Sequence, residues 1–106
     1  MSTRGLDITY SFNSMQVTSD IYQFYRNNEV QKIEIGESSV IITVKDNIKI
    51  YFDLYQPENK NPYINVYVVD IKKNFEIISN MDFYQLDTFA IISYVYSRIR
   101  AYTNDK

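Results

Sequence analysis

The side chains that could do chemistry in this sequence are few, and they carry only oxygen and amine groups. There is no histidine and no cysteine, so the usual general base at neutral pH, the thiol nucleophile, the thiolate metal site and the disulfide are all missing. Among the carboxylates, Asp70 and Glu76 form one close pair, because the hairpin pattern around them sets one opposite the other. Two carboxylates perform acid–base work when they flank a pocket. Nothing in the surrounding pattern builds one, and two solvated charges at strand ends are the simpler reading. Glycine occurs only at Gly5 and Gly36, which removes the GxxxxGK[ST] and GxGxxG phosphate loops, and no EF-hand loop is present. The expectation is a protein that is not an enzyme and that uses no metal and no small-molecule cofactor.

What remains is recognition. Lys32, Thr43 and Lys49, with Tyr51 beside them and Lys45 at a turn, interleave cations with an aromatic face, as single-stranded nucleic acid requires of a strand platform. Glu34 and Asp53 interrupt the group, and an ordinary solvated face is the competing account.

These residues owe their grouping to the strands that carry them. From Val30 to Tyr55 the pattern predicts a three-stranded meander whose register follows from its turns. The loop "GESS" at 36–39 sets Ile35 opposite Val40 and Ile33 opposite Ile42. A three-residue loop "KDN" at 45–47 pairs Val44 with Ile48, Ile42 with Ile50 and Val40 with Phe52, given a left-handed residue at its third position, Asn47. On the opposite face Lys32, Thr43 and Lys49 form one row, and Glu34, Ile41 and Tyr51 the next. "QPENKNP" at 56–62 is a loop, and "YINVYVVDI" with "FEIIS" makes a second hairpin around "KKN". Setting Asn47 on Asn74 aligns the two hairpins, which reads as shared turn chemistry.

Before the meander, Leu6, Ile8, Tyr10 and Phe12 alternate with Asp7, Thr9 and Ser11, which predicts a half-buried strand over 6–12. A short helix follows over 19–27, capped by Thr18 or Ser19, with Ile21, Phe24 and Tyr25 on one face. At the other end, Asp82 and Gln85 form a capping box and Met81 and Leu86 a hydrophobic staple, predicting a helix from 83 to about 103. That helix has two apolar stripes. Ile91, Ile92, Val95, Ile99 and Tyr102 gather with Thr88 on one side, and Leu86, Phe89, Ala90 and Tyr96 on another. One stripe packs on the sheet. Leu86, Phe89 and Tyr96 are then either covered by the short helix or the first strand, or they form an interface.

The stretch "YINVYVVDIKKNFEIISNMDFYQLDTFAIISYVYSRI", a hairpin running into an aromatic-led helix, resembles the close of a repeat in the Whirly and Pur-alpha-type single-stranded nucleic-acid binders. The resemblance covers about the last 45 residues. It implies a sheet face presented to unpaired strands and helices that pack in dimers. The basic balance of that family is absent here, since the net charge is −2 and the pI about 5.0.

Length and composition bound the rest. At 106 residues the chain suits one domain, 1–106, and an aromatic share of 16% belongs to a folding chain. No apolar run approaches the roughly 18 residues that span a bilayer, and no secretory leader is evident, so a cytoplasmic protein without membrane contact is expected. Ile, Asn, Lys, Tyr, Phe and Met dominate, as in AT-rich genomes such as those of many phages, viruses and plasmids, and that bias alone accounts for the 11 tyrosines. The sequence therefore predicts an α+β domain: an antiparallel sheet of five to six strands, meander plus hairpin, with a short helix in its N-terminal half and a long C-terminal helix packed on one face. The expected role is a small phage, viral or mobile-element protein that inhibits or modulates a protein partner, forming a homodimer as well. Single-stranded nucleic acid is the alternative ligand.

Overall fold

A computed structural model describes residues 16–104. The strand predicted over 6–12 lies outside the described residues. From Val30 onward the alternation folds as it reads. Strands β1 (Val30–Ile35), β2 (Ser39–Val44) and β3 (Ile48–Tyr55) run antiparallel. Ile35 lies opposite Val40, Ile33 opposite Ile42, Val44 opposite Ile48, and Ile42 opposite Ile50. The turn between β2 and β3 carries two left-handed residues, Asp46 at φ 68° and Asn47 at φ 63°, where one was expected. Strands β4 (Tyr63–Asp70) and β5 (Phe75–Phe83) complete a five-stranded meander in the order β1-β2-β3-β4-β5.

The second hairpin differs from its expected register. Asp70 pairs with Phe75 and Val69 with Glu76, so the turn takes four residues, 71–74, ending on left-handed Asn74. Asp70 therefore does not face Glu76. It sits on the core side at 3% exposure, where its carboxylate accepts the Lys73 N–H at 3.1 Å and the Tyr102 O–H at 2.8 Å. A side chain that ties off its own turn and docks the last helix is worth more there than in a solvated pair.

The larger correction concerns the C-terminal helix. Helix α2 spans Thr88–Asn104, and residues 81–83, expected as its cap and first turn, belong to β5. The eight residues of β4 require a partner along their length. Met81 and Phe83 meet Val66 and Ile64, and Asp82 accepts the Asn65 side-chain amide at 2.8 Å. Asp82 is thus a rung of the sheet. Asp87 caps the helix instead, its Oδ1 accepting the Ala90 N–H at 3.2 Å. β5 holds two extra residues relative to β4. From Val66 to Val68 it spends three steps, Met81 to Ile78, and from Val68 to Val69 two, Ile78 to Glu76. These bulges turn consecutive Ile77 and Ile78 both inward.

The short helix is also displaced. α1 covers Val17–Asp20 and tightens into a 3₁₀ turn over Ile21–Gln23; Arg26 is extended at ψ 161° and starts a separate turn, Asn27–Glu29. Val17, Ile21 and Tyr25 are buried with the inner-face residues of the sheet and with Ile91, Ile92, Val95 and Ile99 of α2, the stripe expected there. Each such aliphatic side chain contributes roughly 1.5–3 kcal/mol on burial. Thr88 donates to the Asp20 carboxylate and pins α1 to α2. Among the described residues no helix is long and apolar enough to cross a membrane.

Candidate binding surfaces

Both helices lie on one side of the sheet, and no described element covers the other. Alternation sends every second residue of β2, β3 and β4 to this outer face, where the side chains are half-buried by one another alone. Successive cross-strand rows read Lys32, Thr43, Lys49, Val69, Glu76; then Glu34, Ile41, Tyr51, Tyr67; then Ser39, Asp53, Asn65, Asp82; then Tyr55 and Tyr63.

Tyrosine dominates this face. Tyr51 and Tyr67 lie 5.5 Å apart, Tyr55 stacks on Tyr63 at 5.2 Å, and Tyr84 adds a third ring 5.2 Å from Tyr63. Such contacts are worth about 0.5–1.5 kcal/mol each beyond burial, so the rings hold one another in place. The Lys49 ammonium sits 5.5 Å above the Tyr51 ring, and Lys32 pairs with Glu34 at 3.3 Å. Tyr67 donates its hydroxyl to Glu76 at 3.1 Å. Burial, then the Glu76 carboxylate, keeps the Tyr67 phenol protonated above its ordinary range, and burial followed by Asp82 does the same for Tyr63.

Charge on the face is lopsided, with Lys32 and Lys49 set against Glu34, Asp53, Glu76 and Asp82. Asp53 stands apart within it. Flanked along β3 by Tyr51 and Tyr55, its carboxylate receives no hydrogen bond from a described residue, and burial raises its pKa above the usual carboxylate value.

The expected nucleic-acid group is partly assembled. Lys32, Thr43, Lys49 and Tyr51 share the outer face in the predicted rows. Lys45 does not join them. Its ammonium reaches Glu29 at 3.1 Å on the helix side, where the Arg26 N–H and then Lys45 hold the Glu29 carboxyl below its usual range. These two line an open cleft of about 400 Å³ with Tyr25, Asp46, Tyr96 and Arg100. The Tyr25 hydroxyl is buried beside it with no partner among the described residues. Burial first, then Tyr96 and Glu29, keeps that phenol protonated.

The second stripe of α2 is met from within the chain. The Phe24 ring packs 5.3 Å from Phe89 and 5.2 Å from Tyr96, and Tyr25 meets Tyr96 edge-on at 5.1 Å. Leu86 packs against the core. Of the three residues proposed for an interface, Phe89 keeps the most exposure, at 50%.

Sequence reading missed Tyr55, Tyr63, Tyr67 and Tyr84 as one group. The signal was present: treating 56–62 as a hairpin loop sets Tyr55 opposite Tyr63 and, four residues on, Tyr51 opposite Tyr67. Among the described residues no cluster of three or more acidic side chains could hold a metal ion.

Fold and face together define a five-stranded α+β domain with one side covered by helices and one tyrosine-bearing side that no other described element covers. No protein-family model matches the chain, and no curated protein or solved structure matches it.

Proposed function

We propose that this chain is a binding protein without catalytic chemistry that inhibits or modulates a protein partner by engaging it through the outer face of the sheet. The observation that carries this reading is a set of five tyrosines, Tyr51 packed on Tyr67 and Tyr63 on both Tyr55 and Tyr84, on a face that no described element covers. Tyrosine offers large, amphipathic contact area at low entropic cost and is enriched where proteins meet. Rings already fixed by their neighbours lose little freedom on binding. Four carboxylates against two lysines suit a basic partner surface and repel a phosphate backbone.

Lys49 above Tyr51 is the one contact that favours single-stranded nucleic acid. The test separates the two. Affinity capture from the native host should yield a partner that Tyr51→Ser with Tyr67→Ser releases and Phe89→Ser retains. Titration of single-stranded DNA and RNA at two salt concentrations should show no binding. Salt-sensitive binding lost with Lys49→Ala and Tyr51→Ala would replace the protein reading with the nucleic-acid one.

A further inference from the structure

The two edges of the sheet are built differently. The β5 edge is broken by two bulges and by left-handed Asn80 at φ 55°, and the Arg98 guanidinium donates to the Ile77 carbonyl on it at 3.2 Å. These devices keep another strand from pairing. The β1 edge has only a bulge at its beginning, between Val30 and Lys32, and no described element pairs with its outer side. Beyond that bulge Lys32–Ile33–Glu34–Ile35 is regular, and Ile35, on the core side of the sheet, is 55% exposed.

Backbone parity decides what this edge offers. The Gly36 N–H turns inward to the Ser39 carbonyl, and the groups of successive strand residues point to opposite sides. Ile35 and Ile33 therefore direct their N–H and C=O groups outward, while Glu34 and Lys32 spend theirs on β2. An incoming antiparallel strand must pair with Ile33 and Ile35.

We propose that the occupant of this edge is β1 of a second copy, paired antiparallel about a two-fold axis at Ile33. In that register Ile33 meets Ile33 of the second copy and exchanges both N–H···O bonds with it. Lys32 then stands opposite the second copy's Glu34, and Glu34 opposite its Lys32, on the outer face. Both are exposed, at 68% and 40% of their side chains, and now pair only with each other along one strand. Moving the axis to Glu34 sets like charges face to face, and placing it between residues sets Ile33 against a charge and mixes the faces. This register satisfies charge and face together and keeps both Ile33 hydrogen bonds, with Ile35 falling opposite Gln31 in the bulge of the second copy. It joins two sheets into one of ten strands and doubles the tyrosine face, which raises avidity for a repetitive partner.

Charge reversal tests the register. Light scattering after size exclusion at high concentration should give twice the 12.6 kDa chain mass for the wild type. Glu34→Lys should weaken dimerisation on the order of tenfold or more, because both cross-strand pairs become repulsive. Lys32→Glu with Glu34→Lys should restore the dimer, and Phe89→Glu should leave it intact. Far-UV circular dichroism verifies that each variant is folded. A monomeric wild type, a dimer unaffected by Glu34→Lys, or a double exchange that fails to restore it would overturn the proposal. Loss of the dimer removes only the avidity gain and leaves each sheet face able to capture its partner, so this proposal and the sheet-face reading fail separately.

Discussion

Asp53 sits among tyrosines with burial as the sole cause of its raised pKa. The folded state holds its proton more tightly than the unfolded chain does, so stability falls as pH rises through a window from the ordinary aspartate value to the raised one. Below that window the group is protonated in both states and costs nothing. Asp53→Asn should therefore flatten this part of the profile and raise stability at neutral pH, read as urea midpoints across the acid range. A variant profile parallel to the wild type would show that Asp53 is solvated after all. Glu29 works in the opposite sense. Its lowered pKa contributes stability that is present above the ordinary glutamate value and lost as pH falls through the folded one. A partner that brings a cation to Asp53 reverses that residue's sign, turning a cost of folding into a determinant of binding.

At the scale of elements, the start of α2 shows how tertiary demand overrides a local signal. Asp82 with Gln85 is a sound capping pattern, but it lies opposite β4, where Met81 and Phe83 stand beside Val66 and Ile64 and pack against the core. Burying two large side chains outweighs a cap worth about 1 kcal/mol, so the strand extends and Asp87 caps the helix five residues later. Asp87→Ala should cost about 0.5–2 kcal/mol and Gln85→Ala only a few tenths of that, roughly the level of a neutral surface change. Equal costs in denaturant titrations would mean that the helix starts where the local pattern placed it. The meander was legible because strict alternation and short turns leave one register that matches apolar to apolar. Two features escaped the same reasoning. The bulges in β5 break the period of two at Ile77 and Ile78, and the turn at 71–74 gains a residue because Asp70 is taken up by Tyr102, a contact between distant segments. The cover over Phe89 and Tyr96 was legible only as an alternative, since the pattern placed Phe24 on a helix face without deciding which neighbour that face meets.

For the whole molecule, the sheet divides its labour by face. The inner side is aliphatic and closed by α1 and α2, with Val40, Ile42, Ile50, Val66 and Val68 fully buried. The outer side is aromatic and acidic and bears on no described element. Alternation along the strands was enough to assign both faces, whereas the tyrosine group depends on pairing β3 with β4 across a seven-residue loop. Such a division predicts that folding and recognition respond to different substitutions. Ile50→Ala leaves a cavity in the central strand and should cost about 2–5 kcal/mol of stability, while the fraction that remains folded binds its partner with unchanged affinity. Tyr63→Ala removes contacts with Tyr55 and Tyr84, each worth about 0.5–1.5 kcal/mol, and should lower stability modestly. Its loss of affinity should be larger, about 2 kcal/mol or more, as for an aromatic anchor at the centre of an interface. Denaturant titration and partner titration on the same pair of variants give the two numbers. If Ile50→Ala lowers affinity as much as Tyr63→Ala does, the partner is read by the fold as a whole, and the outer face is a solvated surface whose tyrosines serve only each other.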